Sequence, residues 1–255
     1  MKKRLDVLVK ERFPDLDAMP EIMSGRIYVG GVKADKCGTM YPDDAVIEYR
    51  GKPHPYVSRG GLKLEGALRE FGLDVTGANA LDIGSSTGGF TDCMLQNGVS
   101  RVTCVDVGVE LSYKLRVDER VRVMERTNIR YCHLDTFGES FDLVTSDVSF
   151  ISLKHVLPVI DEVLKEDGRA ICLIKPQFEA RREEVGAGGI VTDRTVHVDV
   201  VKRVMGFKPE GLKLTRLCVS PITGTKGNTE YLAEFLRGGE DIDEEYIEAV
   251  VYGRK

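Results

Sequence analysis

The amino-acid sequence predicts an α/β fold, in which a mostly parallel β-sheet is flanked by helices and preceded by a small N-terminal domain. Short apolar runs recur at spacings of roughly 20–30 residues, and stretches with helical spacing lie between several of them. Pro53 and Pro55 interrupt the chain before these runs begin. Because proline continues neither a helix nor a central strand, the sequence divides into domain 1–50, linker 51–57 and domain 58–255.

The first fifty residues have the pattern of a small α+β domain. Leu5, Leu8 and Val9 are spaced to share one face of a helix, and a second short helix is indicated at 19–23. Two short strands separated by a turn follow, at Arg26–Val32 and Ala45–Tyr49. A domain of this size is close to the lower limit for independent folding.

The larger domain is predicted to combine parallel strands with an antiparallel edge. Its buried strands are predicted at Asn79–Ile83, Arg101–Val107, Val121–Arg126, Phe141–Ser146 and Arg169–Lys175. Helical spacing occurs between strands at Phe90–Asn97 and Leu153–Lys165. Two later runs, Lys213–Val219 and Glu230–Leu236, have no long helix between them, so they predict an antiparallel hairpin at one edge of the sheet.

Composition and charge limit the class of protein. The 255 residues carry 36 Lys and Arg against 41 Asp and Glu, a formal charge of −5, which argues mildly against a nucleic-acid binder. That charge is uneven, because residues 1–63 sum to +3 and the remainder to −8. The six cysteines form no Cys-x-x-Cys pair, which predicts no structural zinc and suits a reducing cytosol. With no apolar run near the ~20 residues of a membrane span and no signal segment, we expect a cytoplasmic protein without membrane or metal partners.

The stretch from Ala80 to Asp92 is the most informative part of the sequence. An apolar strand ends at Gly84, a loop of small residues follows, and a helix opens near Phe90. Such a loop lets the backbone approach a ligand and points free N–H groups toward it. Asp106 ends the next strand about 20 residues later, where a carboxylate can accept hydrogen bonds from ribose hydroxyls.

Two cofactors are compatible with this loop. A dinucleotide favours the spacing G-x-G-x-x-G, which places its pyrophosphate at the helix N-terminus. Here the spacing is G-x-x-x-G-G, and an acidic residue precedes the first glycine by two positions, which favours S-adenosylmethionine. A tight turn that binds no ligand is the third interpretation. The candidate cofactor residues are Asp82, Gly84, Ser86, Gly88 and Asp106.

Different methyl acceptors leave different marks in a sequence. Enzymes that methylate amino groups often carry Asn/Asp-Pro-Pro-Tyr/Phe after the fourth strand, where this chain has Ser146-Asp-Val-Ser-Phe150. Enzymes that methylate carbon 5 of pyrimidines need a nucleophilic cysteine, often after proline, and none of the six cysteines follows proline. A hydroxyl is the best remaining acceptor, and a ribose 2′-hydroxyl needs a group that takes its proton.

Four charged residues stand at or near the ends of predicted elements: Lys63, Asp147, Lys175 and Glu230. Each one alone is more readily interpreted as a surface charge. Because residues at the carboxyl ends of parallel strands face the ligand crevice, their joint placement indicates one site. In this order the four resemble the Lys-Asp-Lys-Glu tetrad of FtsJ-like RNA 2′-O-methyltransferases.

Longer blocks resemble a narrower group, the TlyA family, whose members are often labelled hemolysin A. These blocks are Tyr56–Leu64, Leu81–Asp92, Thr145–Ser152, Ile174–Glu179, Gly188–Asp193 and Ser220–Glu230. The N-terminal domain resembles an S4 RNA-binding domain at Arg4-Leu-Asp6 and Gly25–Val32. It departs from that pattern where Asp17-Ala18 replace the usual Ser-Arg of the second helix.

The resemblance implies an S4-like domain followed in the chain by a Rossmann-like methyltransferase domain that uses S-adenosylmethionine. It also implies that the substrate is the 2′-hydroxyl of cytidine in ribosomal RNA or ribosomal subunits. It implies that Lys175 is closest to a general base, that Lys63 and Asp147 set its charge, and that Glu230 holds Lys63 or the substrate ribose. Candidate RNA contacts are Arg4, Arg26, Arg59, Arg181 and Arg182. A non-catalytic RNA-binding factor and a membrane-active hemolysin are the alternatives. The segment Gln177–Asp193, rich in glycine, is either a mobile flap or an ordered loop.

Overall fold

The computed structural model describes residues 2–14, 16–23, 25–51 and 54–254. The chain divides into two compact units, Met1–Arg59 and Gly60–Lys255, so the division falls just after the predicted linker. Lys52 and Pro53 of that linker lie outside the described residues.

The described residues of the first unit form an α+β domain. Its strands are β1 (Lys2–Arg4), β2 (Ile27–Val29), β3 (Val32–Lys33), β4 (Met40–Pro42) and β5 (Ile47–Tyr49), and its helices are α1 (Leu5–Arg12) and α2 (Ala18–Met23). β3, β2 and β5 form one antiparallel sheet, and β1 pairs with β4. Leu5, Leu8 and Val9 are fully buried against Ile22 and Ile27, so the predicted apolar face of α1 is the packed face.

A seven-stranded sheet forms the centre of the described second unit. Its strands are β6 (Asn79–Ile83), β7 (Arg101–Val105), β8 (Val121–Met124), β9 (Phe141–Ser146), β10 (Leu164–Ile174), β11 (Lys213–Val219) and β12 (Tyr231–Leu236). The strand order is β11-β12-β10-β9-β6-β7-β8, with β6 to β10 parallel and β12 antiparallel to both of its neighbours. The predicted mostly parallel sheet with an antiparallel edge hairpin is confirmed.

Helices connect most of these strands. They are α3 (Gly60–Glu70), α4 (Gly89–Gln96), α5 (Tyr113–Arg116), α6 (Leu134–Phe137), α7 (Leu157–Val163), α8 (Pro176–Glu179), α9 (Arg194–Phe207) and α10 (Glu244–Tyr252). The helix predicted at 153–165 was too long, because the chain becomes extended at Leu164 and enters β10 there. Within the described ranges, no helix is long and apolar enough to cross a membrane.

The direction of strand addition reverses between β6 and β9. From β6 the chain adds β7 and β8 on one side, and it then adds β9 and β10 on the other. At such a switch point the connections after neighbouring strands diverge and leave a crevice at the carboxyl edge. Gly84 follows β6 with φ +78°, and a Cβ at this position would lie 2.9 Å from the carbonyl oxygen of Asp147. Glycine therefore lets the two strand ends come together at the crevice.

A buried carboxylate cross-links the hairpin to the rest of the sheet. Glu234 on β12 is fully buried, and it accepts hydrogen bonds from Arg216 Nη2 on β11 at 2.7 Å and from Arg169 Nη1 on β10 at 3.0 Å. One carboxylate thus holds three adjacent strands. The same strand follows directly after Glu230, so the position of Glu230 depends on this register.

Removing this carboxylate should destabilise the sheet edge. We expect Glu234→Ala to lower the free energy of unfolding by about 3–5 kcal/mol, because a buried ion-pair network loses its shared partner. Arg254→Ala, which removes an exposed 3.8 Å pair with Glu248, should change it by less than about 1 kcal/mol. Urea unfolding of both variants measures the two effects, and equal losses would contradict the assigned role of Glu234.

Candidate active site

Lys63, Asp147, Lys175 and Glu230 come together in the second unit. Lys63 lies on α3, Asp147 and Lys175 directly follow β9 and β10, and Glu230 directly precedes β12. Lys63 Nζ is 2.8 Å from Glu230 Oε2 and 3.4 Å from Asp147 Oδ2. Lys175 Nζ is 2.6 Å from Asp147 Oδ1. The quartet is therefore one continuous chain of charges, in which both lysines share Asp147.

Burial and neighbouring charges act in opposite directions on the pKa values of Lys63 and Asp147. Each lysine side chain is only 8% exposed, and that of Glu230 is 2% exposed. Burial by itself would lower the pKa of Lys63, but the charges of Asp147 and Glu230 outweigh it and raise that pKa. Burial would also raise the pKa of Asp147, yet the two lysine charges bring it below its ordinary value. Lys63 and Asp147 therefore stabilise each other in their charged forms.

Three further residues contact the two ends of the quartet. Ser149 Oγ accepts a hydrogen bond from Lys175 Nζ at 2.9 Å, and Gln177 Nε2 donates one to Glu230 Oε1 at 3.3 Å. Gly224 lies so close to Glu230 that a Cβ there would collide with the carboxylate. Sequence reasoning missed these residues, although Ser149 and Gln177 each stand two positions after a predicted site residue.

A cavity of about 480 Å³ lies at the switch point of the sheet. Gly84, Ser86 and Asp106 of the predicted cofactor set line it, and so does Asp147 of the quartet. The other lining residues are Ile83, Val105, Val107, Gly108, Glu110, Thr127, Asn128, Ile129, Val148, Ser149, Phe150 and Ile151. Asp147 is thus common to the cavity and the quartet.

The cavity lining is apolar and acidic. Asp106, Glu110 and Asp147 contribute carboxylates, and the lining includes no Lys, Arg or His among the described residues. Carboxylates attract a cationic ligand and repel a pyrophosphate, so the dinucleotide interpretation is disfavoured. In the same described part of the chain, no group of three or more His, Cys, Asp or Glu side chains could hold a metal ion.

Asp106 holds the loop that follows β6. Its carboxylate accepts hydrogen bonds from the backbone N–H of Ser86 at 2.8 Å and of Gly108 at 2.7 Å. Ser86 has φ +46°, an unusual value for a residue with a side chain, which this bond helps to maintain. Gly88 is the N-cap of α4 with φ +97° and does not line the cavity, so it acts on the shape of the loop.

Asp82 does not reach the cavity. The structure places it fully buried inside the sheet, where its carboxylate accepts hydrogen bonds from Thr91 Oγ1 at 2.6 Å and Thr145 Oγ1 at 2.9 Å. It thereby joins β6 to α4 and β9, whereas the sequence predicted that it binds the cofactor. Burial raises the pKa of Asp82 to about 6, although both threonine hydrogen bonds act in the opposite direction.

Two basic residues predicted to contact RNA are already paired within the first unit. Arg4 makes a two-bond contact with the carboxylate of Asp6, at 2.6 and 3.0 Å. Arg26 Nη1 lies 3.0 Å from both oxygens of Glu21. Their charges are therefore compensated locally, which weakens their attraction for phosphate.

Three other predicted RNA contacts differ from these. Arg59 is partly exposed at the end of the first unit. Arg181 and Arg182 are exposed shortly after α8, and no carboxylate of the described residues forms a salt bridge with either guanidinium. Arg181 and Arg182 are therefore better placed than Arg4 or Arg26 to attract phosphate.

The glycine-rich segment is tied to the loop that ends at Glu230. Asn228 accepts a hydrogen bond from the backbone N–H of Val191 at 3.1 Å and donates one to the carbonyl of Gly189 at 3.0 Å. Lys226 Nζ donates to the carbonyl of Gly188 at 2.6 Å. Of the two interpretations of this segment, these bonds favour the ordered loop.

Comparison with known proteins identifies the family. The profile of FtsJ-like methyltransferases matches residues 56–236. The chain belongs to the FtsJ-like methyltransferase family. YqxC of Bacillus subtilis (strain 168) is 47% identical over 98% of this chain and 93% of its own length. A Mycobacterium tuberculosis relative named 16S/23S rRNA (cytidine-2′-O)-methyltransferase TlyA is 39% identical over 82% of this chain and 80% of its own.

A solved structure also matches nearly the whole chain. The Streptococcus thermophilus protein, which carries a hemolysin name, is 40% identical with a TM-score of 0.80. The match covers 99% of this chain and 95% of that one. Together these relatives confirm the resemblance to the TlyA family.

The buried carboxylate of Asp82 predicts how the stability of this FtsJ-like methyltransferase depends on pH. With a native pKa of about 6 and an ordinary unfolded value near 3.9, the native state keeps its proton where the unfolded state releases it. Ionisation of Asp82 therefore lowers the stability of the wild-type protein as pH rises from about 4 to about 6. Asp82→Asn lacks this contribution, because asparagine does not titrate.

We expect the free energy of unfolding of Asp82→Asn to rise relative to wild type, by up to about 3 kcal/mol between about pH 4 and pH 7. Urea unfolding at several pH values gives this difference. A difference that stays constant with pH would mean that Asp82 is ionised in the native protein throughout.

A second prediction concerns the charges of the quartet. Lys63→Met removes the cation between Asp147 and Glu230 and should cost about 3–5 kcal/mol of unfolding free energy at neutral pH. The loss should be smaller near pH 5, because a carboxylate left without its cation takes up a proton more readily. Unfolding measured at both pH values tests this, with Lys202→Met, on an exposed pair, as the control. A loss that increases on acidification would contradict it.

Proposed function

We propose that this protein transfers a methyl group from S-adenosylmethionine to the 2′-hydroxyl of a cytidine in ribosomal RNA. One observation carries the proposal: Asp147 lines the cavity and also pairs with both lysines of the quartet. A ligand in the cavity and an acceptor at the quartet would thus lie on either side of one residue. Such proximity is what displacement at carbon requires.

The chemistry of the cavity supports S-adenosylmethionine as the donor. This cofactor combines an apolar adenine with a cationic sulfur and an ammonium group, which match the apolar and acidic lining. The backbone at Gly84 and Ser86 would allow the cofactor to approach closely. The carboxylates of Asp106 and Glu110 are suited to accept hydrogen bonds from its ribose hydroxyls. When bound, S-adenosylmethionine would supply a methyl group on a positively charged sulfur, which leaves as a neutral thioether when an oxygen attacks the methyl carbon.

The quartet supports a hydroxyl acceptor. A ribose hydroxyl attacks well only if its proton is removed as the new bond forms. Lys63 pairs with two carboxylates and its pKa is raised, so it remains a cation. Lys175 has one shared carboxylate and the hydroxyl of Ser149 as partners, and we assign its neutral amine form, reached after it releases a proton to solvent, as the group that takes the proton of the ribose hydroxyl. Lys63 and Glu230 then hold Asp147 and the acceptor oxygen in place.

Exposed residues near the site support RNA as the substrate. Phe150 is 90% exposed at the cavity, and an exposed aromatic ring offers a base a surface on which to stack. Arg181 and Arg182, which follow α8 shortly after Lys175, offer positive charge to the phosphates of the RNA. The S4-like character proposed for the first unit agrees with this substrate, and the name of the mycobacterial relative supplies ribosomal RNA and cytidine.

The proposal predicts a specific loss of transfer. With labelled S-adenosylmethionine and ribosomal subunits that lack the modification, Lys175→Ala should lower the transfer rate by at least about 100-fold. Its affinity for S-adenosylmethionine, measured by calorimetry, should stay close to that of wild type, because Lys175 does not line the cavity. Lys202→Ala, an exposed lysine of α9, is the matched control and should keep full activity.

The product distinguishes the proposal from its alternatives. A 2′-O-methyl mark makes the following phosphodiester bond resistant to alkali, whereas a methylated base does not. Mapping alkali-resistant positions on ribosomal RNA from cells with and without this gene would identify the nucleotide. Binding of RNA without a methylated product would instead indicate a non-catalytic RNA-binding factor, and leakage of lipid vesicles without the donor would indicate a membrane-active protein.

A further inference from the structure

Two segments that follow neighbouring strands contact each other beside the quartet. One is the loop 149–153 after β9, and the other is 175–179, which comprises Lys175 and α8. Lys175 Nζ donates to Ser149 Oγ at 2.9 Å, and the rings of Phe178 and Phe150 have centroids 5.1 Å apart. The proposed mechanism uses the first contact, but it does not explain what holds the loop itself.

The loop has an unfavourable local conformation. Phe150 has φ +63°, in the left-handed region that residues with a side chain rarely adopt, and its ring is 90% exposed. Neither the backbone angle nor the exposure of an aromatic ring is favourable by itself. Such a conformation persists only where neighbouring contacts impose it, and it is often found at functional sites.

Glu179 contacts the two residues at the end of this loop. The last residue of α8, it accepts a hydrogen bond from Ser152 Oγ at 2.6 Å and another from the backbone N–H of Leu153 at 2.7 Å. Ser152 Oγ in turn accepts from the backbone N–H of Lys154. Burial raises the pKa of Glu179, and both hydrogen bonds act against that rise only in part. The carboxylate accepts both hydrogen bonds, and no lysine or arginine of the described residues forms a salt bridge with it.

We propose that Glu179 is a positioning residue that holds the loop 149–153 in the conformation that keeps Ser149 on Lys175 and presents Phe150 to the RNA. Glu179 does not line the cavity and does not contact the quartet, so it acts through the loop. The part of this inference that concerns RNA rests on the proposed function. The part that concerns the conformation of the loop does not.

The chain contains no tryptophan, so Phe150→Trp provides a single fluorescent reporter in the loop. In this background, Glu179→Ala should lower the fluorescence anisotropy and increase quenching by acrylamide, because the loop loses both bonds. Glu179→Gln keeps the side-chain length, and its amide can keep both contacts by accepting from the backbone N–H of Leu153 and donating to Ser152 Oγ, so both signals should stay near those of the parent. Glu119→Ala removes an exposed carboxylate from another part of the unit and is the matched control.

Activity is measured with Phe150 intact. We expect Glu179→Ala to lower kcat/KM for ribosomal RNA about tenfold, the scale of losing one stacked base, and Glu179→Gln to change it less than about twofold. If Glu179→Ala does not fold, Ser152→Ala removes one of the two bonds and should give a smaller change of the same sign in both measurements.

Two results would overturn the inference. One is an unchanged reporter signal in Glu179→Ala, and the other is an equal loss of activity in Glu179→Gln and Glu179→Ala, which would mean that the charge itself is required. Absence of methyl transfer by the wild-type protein would instead contradict the proposed function. The fluorescence measurements would still decide the role of Glu179 in that case.

Discussion

Two buried lysine side chains that share one carboxylate are the constraint on which the second unit depends. Lys63 and Lys175 can remain buried near each other only because Asp147 lies between them and Glu230 completes the charge balance. These residues come from a helix and from the ends of three strands, so every one of those elements must reach the same edge of the sheet. The switch point and the edge hairpin are the features of the fold that bring them there.

The positions of the charged residues are more informative about ligands than the net charge is. The total of −5 says little about an RNA substrate, because three carboxylates line the cavity and others lie in local ion pairs. Arg4 and Arg26 are compensated by Asp6 and Glu21, whereas Arg181 and Arg182 are exposed beyond α8. An acidic pocket for a cationic donor and a separate exposed basic pair can therefore coexist on one acidic chain.

The sequence predicted the parallel strands and the residues at their carboxyl ends, because apolar runs bounded by glycine and charge report local structure directly. It did not predict α9, whose many valines are also typical of strands. It did not reveal that Thr91 and Thr145 enclose the carboxylate of Asp82, since nothing local indicates these contacts. Ser149 and Glu179 could not be recognised because their roles depend on contacts between segments that are distant along the chain.

The direction of β12 has a consequence for when the site can exist. Because β12 runs antiparallel to β10, its first residue, and not its last, lies at the edge where the parallel strands end. A parallel strand of the same six residues would have placed Glu230 about 20 Å away, at the opposite edge. Among the strands that the structure describes, β12 is made last, and the residue just before it is a partner of Lys63, so a chain that stops before Glu230 lacks a balanced site. Chemical competence in this protein coincides with completion of the sheet.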